Sequence, residues 1–230
     1  MEDLLVIIPT RGRPQAVPEL VTAWDDTRAT AHLLFAVDTD DPELAAYKKH
    51  AAELKGDGRV RFTFDPRRRL CGTLNAQALS AAKTYRFLAF LGDDHRPRTI
   101  AWDQKFRDVL STGGPRIVYG NDLLRSETLP TAVAMTSNIV TALGYMAPPD
   151  LVHLFLDNAW LDWGRGAECL TYLPGTVIEH MHPAAGKAAN DAGYLEANSQ
   201  TRFTADRDAY EQYTATQLAD DIKKLEALKE

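Results

Sequence analysis

Phe87-Leu88-Ala89-Phe90-Leu91-Gly92-Asp93-Asp94-His95 is the stretch on which the fold turns: an unbroken apolar run stops at a glycine and releases two carboxylates and an imidazole. Unbroken apolarity over so short a run implies a strand buried on both faces, as in a parallel sheet covered by helices. Such sheets bind their ligands beyond the carboxyl ends of the strands, and adjacent hard oxygen ligands held there suit a divalent cation and a phosphate.

The same pattern repeats outward from that stretch. Leu4 to Ile8, His32 to Val37, Val60 to Phe64 and Ile117 to Tyr119 read as further strands, and Ala16 to Thr27, Pro42 to Lys55, Thr73 to Ala82 and Thr99 to Leu110 as the helices between them. Alternation of this kind predicts an α/β chain with a Rossmann-like, mostly parallel central sheet. The second half changes character. Asp150 to Trp163 reads as a helix, Leu170 to Leu173 and Thr176 to His180 as short strands, and Thr204 to Leu228 as one long charged helix, a C-terminal elaboration on the sheet. No linker divides the chain, so residues 1–230 are expected to form one domain.

Composition narrows the classes of function. The 230 residues, 45% hydrophobic and 25% charged, fit a soluble chain with a sizeable core. No apolar run approaches the roughly 20 residues that span a bilayer, so membrane insertion is not expected. The opening Met1-Glu2-Asp3-Leu4-Leu5-Val6 lacks the basic start and small-residue cleavage pattern of a signal peptide, which predicts a cytoplasmic protein. Cys71 and Cys169 lie far apart without a Cys-x-x-Cys partner, the pattern of buried free thiols. A net charge of -6 argues against nonspecific nucleic-acid binding. Even so, Arg11, Arg13, Arg67, Arg68, Arg69, Arg96 and Arg98 each follow a strand, and a parallel sheet would gather them at one edge to focus a small anion.

Several residues carry candidate chemistry. Asp93 and Asp94 either cap a helix or bind a cation; Pro97 intervenes and Thr99 is the better cap, which favours Mg2+ or Mn2+ with positions open to diphosphate oxygens. In Ile178-Glu179-His180-Met181-His182-Pro183, alternation turns both imidazoles to one side, so His180 and His182 can converge on a cation, two partly exposed histidines being the competing reading. Gly186 and Lys187 follow as a hinge and a cation able to close over phosphates. Pro9-Thr10-Arg11-Gly12-Arg13-Pro14 precedes a helix whose N–H groups, with Arg11 or Arg13, suit a phosphate or a nucleobase edge. Asp38 ends the second strand, where it can accept from a base or ribose unless it merely shapes the Asp38-Thr39-Asp40-Asp41 turn. The basic run Arg67, Arg68 and Arg69 leads into Leu70-Cys71-Gly72-Thr73-Leu74-Asn75, which opens the third helix; a solvated face is the plain reading of such a run, and its place after a strand expected beside the Asp93-Asp94 loop favours one of these arginines reaching the pocket. Asp157 lies in an apolar, aromatic stretch running to Trp163, where lost hydration raises its proton affinity and suits it to general-base work. Asp162 competes for that role, and capping is the plain alternative for both. Trp160 and Trp163 could stack on a sugar, though tryptophans so spaced are more often core.

Taken together, Val6-Ile7-Ile8-Pro9-Thr10-Arg11, Asp38, the Gly72 to Asn75 helix start, Phe90-Leu91-Gly92-Asp93-Asp94 and Asp157-Asn158 resemble the nucleotide-sugar-dependent glycosyltransferases of the A-type fold, of an inverting, family-2-like kind. That family carries Asp-x-Asp at the strand end; Gly92 stands in the first position here, and the metal ligand is carried to Asp94, with Asp93 assisting. The resemblance implies Mn2+ or Mg2+ as cofactor, completed by His180 or His182, and a nucleoside diphosphate sugar as donor, with a uridine one expected. It further implies a nucleotide site over Pro9, Thr10, Arg11, Arg13, Asp38, Arg69, Gly72, Asn75, Asp93 and Lys187. Residues 1–125 would then be the donor half, 126–200 the acceptor half and 201–230 a C-terminal helix. The segment from Glu179 to Lys187 looks similar to small glycosyltransferase-like proteins of bacteriophages, which would place the chain in a host cytoplasm, with a protein, a modified DNA base or a glycan as acceptor. The rival readings are a nucleotidyltransferase that makes sugar nucleotides, whose glycine-rich loop with a following lysine is missing here, and a noncatalytic binding module.

Overall fold

Alternate residues of the first strand, β1 (Glu2–Thr10), divide the core: Leu4, Val6 and Ile8 point to one face and Leu5 and Ile7 to the other, and all are buried. The computed structural model describes residues 2–188 and 191–229. Strands β2 (His32–Asp38), β3 (Val60–Asp65) and β4 (Tyr85–Phe90) join β1 in parallel, with Ile8 opposite Phe35 and Ile7 opposite Phe90. Helices α1 (Ala16–Thr27), α2 (Leu44–Glu53) and α3 (Arg69–Ala81) make the crossovers. Four further strands, β5 (His95–Pro97), β6 (Ile117–Asn121), β7 (Val133–Thr136) and β8 (Leu170–His180), complete a sheet of order β3-β2-β1-β4-β7-β6-β8-β5. β7 runs antiparallel to β4 and β6, β8 is parallel to β6, and β5 is antiparallel to β8.

Each face has its own aromatic core. On one, Trp24 of α1 meets Trp102 and Phe106 of α4 (Trp102–Leu110), with the two tryptophan rings edge-on at 5.3 Å. On the other, α3, α5 (Ser137–Leu143) and α6 (Leu156–Gly166) bury Leu74, Ile139, Trp160 and Trp163. After α7 (Ala192–Ala197), helices α8 (Gln200–Thr216) and α9 (Leu218–Ala227) pack on this second face. Asp221, fully buried, anchors them by accepting from Tyr145 and Tyr213, while the Trp163 indole donates to Tyr213 Oη at 2.6 Å. Both cysteines are free and buried. Among the described residues no helix is long and apolar enough to cross a membrane.

Where the structure departs from the sequence reading, a distant partner explains it. The helix expected over Asp150 to Trp163 begins only at Leu156, because the N–H groups of Val152, His153 and Leu154 turn to Asp206 of α8 at 3.1, 3.0 and 2.8 Å. The two short strands at Leu170 to Leu173 and Thr176 to His180 are one strand with an irregularity opposite Gly120 and Asn121. Gly120 allows that approach, since a Cβ there would collide with the Thr176 carbonyl oxygen. The single C-terminal helix is broken at Gln217 into α8 and α9. Thr99 caps nothing: its Oγ1 accepts from the Val177 N–H at 2.8 Å, and α4 starts after Ala101. The third helix starts at Arg69, four residues before the expected Thr73.

Candidate functional site

The loop after β1 is pinned by a chain of hydrogen bonds that ends on a carboxylate. Arg13 N–H donates to Tyr47 Oη (2.9 Å), Tyr47 and Thr10 share a hydrogen bond of 2.9 Å, and Thr10 Oγ1 donates to Asp93 Oδ2 (2.8 Å). Such a series polarises each member toward the acceptor. Arg13 closes the ring with Nη1 on Asp93 Oδ1 at 2.8 Å. Burial still raises the proton affinity of Asp93, against the pull of Arg13 and Thr10. At the end of β2, Asp38 receives Arg11 at 3.2 Å and faces Arg67 Nε at 3.7 Å, and its carboxyl is likewise pushed up by burial.

β5 and β8 bring the imidazoles together. Their antiparallel register sets His95 directly opposite His180, and the rings stack at 4.1 Å with 22° between planes. Asp94, one residue before β5, lies 3.3 Å from His180 Nε2 and 3.3 Å from His95 Nδ1. Burial would raise the Asp94 proton affinity, but the adjacent imidazoles of His180 and His95 outweigh it and hold the carboxyl well below its ordinary value. One ligand atom from each of Asp94, His95 and His180 lies within 4.8 Å of the others. Among the described residues His180 Nδ1, the ring nitrogen other than the one that meets Asp94, is buried without a hydrogen-bond partner, which leaves it open to an ion or a water. His95 Nδ1 accepts from the Gly92 N–H at 3.1 Å, so full ligation by His95 would compete with that bond. An acid with two imidazoles fits a first-row divalent ion better than an all-oxygen cage would.

These residues line one cleft of about 710 Å³, with Pro9, Thr10, Arg11 and Arg13 on one wall and Arg69 at its edge. The opposite wall is the loop from Val152 to Phe155 together with Leu156, Asp157 and Trp160. Asp157 faces the cleft with its Oδ1 on the Asn158 N–H at 3.0 Å, and burial raises its proton affinity.

Other expected residues are placed elsewhere. Asn75 spends its amide on the 146–147 backbone, accepting from Met146 and Ala147 N–H and donating to the Ala147 carbonyl, each at 2.8 Å. Gly72 lies within α3 and is not part of the cleft lining. Asp162 turns to the Tyr210 hydroxyl on α8, away from the cleft. Lys187 is held by Glu179 at 2.7 Å. His182 lines the cleft, but its Nδ1 accepts from Ala184 N–H at 3.1 Å and it stands outside the three-residue cluster, where His95 takes its place. Arg96 is drawn into the protein by Glu19 and the Asp93 carbonyl, and Arg98 pairs with Glu179 at 2.7 Å. Asp191 and Glu196, which the sequence does not single out, lie on the cleft lining, as does His153, which reads in the sequence as an isolated histidine. His95 belongs to the strand-end motif with Asp93 and Asp94 and is a candidate ligand from the sequence, alongside His180 and His182.

No protein-family model matches the chain, and no curated protein matches it. Solved structures do, at low identity. The mannosyltransferase PcManGT from Pyrobaculum calidifontis, in complex with GDP-Man and Mn2+, is similar over 98% of this chain and 73% of its own, with a TM-score of 0.61 at 12% identity. TarS residues 1–349 from S. aureus, in complex with UDP, matches 99% of this chain and 83% of its own, with a TM-score of 0.59 at 13% identity. A protein of Desulfovibrio desulfuricans G20 named as a nucleotide-diphospho-sugar transferase covers 98% of this chain and 99% of its own, with a TM-score of 0.53 at 13% identity. At such identities the likeness establishes the fold, the A-type glycosyltransferase fold, and no more.

Proposed function

We propose that the chain is a metal-dependent glycosyltransferase that moves a sugar from a nucleoside diphosphate sugar, a UDP-sugar first among the candidates, to an acceptor hydroxyl. One observation carries the reading. A carboxylate with two imidazoles and a second, desolvated carboxylate face the same cleft from different walls, with guanidiniums at its edge. The fold shared with structures holding GDP-Man with Mn2+ or UDP supports it.

In this proposal Asp94 and His180 hold a divalent ion, Mn2+ in preference to Mg2+ because two imidazoles stand in the donor set, and His95 completes it. When bound, the ion neutralises negative charge on the departing diphosphate. Asp38 and Arg11 read the nucleoside, while Asp93 fixes Thr10 and Arg13 around the donor. Asp157 takes the proton from the acceptor hydroxyl as that oxygen attacks the anomeric carbon opposite the diphosphate, which inverts configuration. Residues 1–125 supply the donor half, joined by His180 from the acceptor half. A bacteriophage origin and a cytoplasmic place of action stay part of the proposal on the resemblance of residues 179–187 alone.

The test is a panel of UDP-, GDP- and dTDP-sugars with Mn2+ and no acceptor, assayed for released nucleoside diphosphate. Slow hydrolysis of one donor family, abolished by EDTA, is expected. Release of pyrophosphate from a nucleoside triphosphate and a sugar phosphate, without any donor hydrolysis, would replace the reading with nucleotidyl transfer.

A further inference from the structure

The arginines of the cleft already hold anions supplied by the chain itself. Arg13 donates to Asp191 from Nε at 2.6 Å and from Nη2 at 2.9 Å. Arg67 donates to Glu196 at 2.9 and 3.2 Å, and Arg69 donates to the same carboxylate. Both acids belong to one short stretch. Asp191 caps α7 by accepting from the Tyr194 N–H at 2.8 Å, and Glu196 lies near the helix end. Tyr194 sets its ring edge-on against His182 at 5.3 Å. The stretch therefore crosses the cleft from the Asp38 side, where Arg67 stands, to the Asp93 side, where Arg13 keeps a second partner. Among the described residues the buried Arg67 Nε has no hydrogen-bond partner, Asp38 Oδ2 standing 3.7 Å away, so Glu196 engages only one end of this guanidinium.

We propose that Asp191 and Glu196 form an internal plug, a pair of carboxylates that occupies Arg13, Arg67 and Arg69 until a nucleoside diphosphate displaces it. The inference rests on the donor reading given above. Charge supports an exchange over a ternary arrangement: a diphosphate entering beside two carboxylates meets like charge, whereas replacing them leaves the guanidiniums neutralised. Exposure supports reversibility. The side chains of Asp191 and Glu196 are 43% and 51% exposed, and guanidinium pairs so open to water are weak enough for a ligand to break. The plug thereby keeps the cleft covered when no donor is bound and sets a threshold on donor affinity.

The experiment is calorimetric titration of UDP, with Mn2+ present, into the full chain and into Asp191→Asn/Glu196→Gln. Asn retains the cap on α7 while losing the charge, and Arg13 keeps Asp93, so the fold is spared. The double variant is expected to bind UDP about three- to tenfold tighter, the range for two exposed ion pairs, with Glu196→Gln alone giving a smaller gain. Without nucleotide, trypsin should cut after Lys187 faster in the double variant than in the parent. Equal or weaker UDP binding by the variants, with the parent binding normally, overturns the plug and leaves the donor reading intact. Failure of both UDP and GDP to bind parent and variants alike overturns the donor reading and the plug with it.

Discussion

On the wall built from β1, β2 and the Asp93–His95 turn, Asp93 has Thr10 and Arg13 as partners and Asp94 has two imidazoles. On the facing wall Asp157 has the N–H of Asn158 and, among the described residues, no side-chain partner. The same residue type is thus pulled in opposite directions across one cleft: Asp94 is held well below the ordinary carboxylate value, and Asp157 is raised by burial. A carboxylate kept ionised suits a cation, and one starved of solvation suits proton transfer, so in the proposed reaction the walls divide the labour. What separates them is the company the fold supplies: two imidazoles beside Asp94, and burial without a side-chain hydrogen-bond partner among the described residues for Asp157.

Breaking the division at Asp157 should have the largest effect. Asp157→Asn is expected to lower transfer by about a hundredfold to ten-thousandfold while leaving nucleotide affinity unchanged, as measured by turnover against calorimetry. The parent should lose activity as pH falls through a value above that of an ordinary aspartate, because the working form is the carboxylate. The sign for stability is opposite. Between the ordinary and the raised value the folded state binds more protons than the unfolded one, so stability declines as pH rises through that window. Asp157→Asn removes that decline and should raise Tm at neutral pH. Unchanged turnover would leave the facing wall without its assigned role.

Asp206→Ala sharpens the comparison from behind the wall. It leaves the N–H groups of Val152, His153 and Leu154 without their acceptor, and a loss of about 2–4 kcal/mol in urea unfolding is expected. Mn2+ binding should survive, since Asp94 and His180 lie on other elements. On the metal side, His180→Ala should weaken Mn2+ at least about tenfold, as even partners behind a ligand do, while His182→Ala should change it less than about threefold. Equal losses from the two would return His182 to the cluster.

The two walls also differ in how far they could be read in advance. The strands of the first wall announce themselves because both faces are buried, so Leu4 to Ile8 and Phe87 to Leu91 are unbroken apolar runs, and α1 falls on its expected residues. Asp93, Asp94 and Asp38 were legible because a parallel sheet aims its strand ends at one place. The rest depended on contacts between distant residues. The 150–155 loop looks helical until Asp206 claims its N–H groups, and Asn75, Asp162 and Lys187 are spent on the 146–147 backbone, Tyr210 and Glu179. β5, three residues ending in proline, and β7 escaped notice because neither is long enough to show a pattern. The pairing of His95 with His180 follows from the β5 to β8 register, which no local spacing contains.

The claim on which both walls depend is that Asp94 and its imidazoles hold a divalent ion that seats the nucleotide. Calorimetric titration of UDP into the parent and Asp94→Ala, each with Mn2+ and with EDTA, tests it directly. The account predicts that Mn2+ tightens UDP binding to the parent by at least about tenfold and does nothing for Asp94→Ala. Equal UDP affinity with Mn2+ and with EDTA in the parent would contradict it.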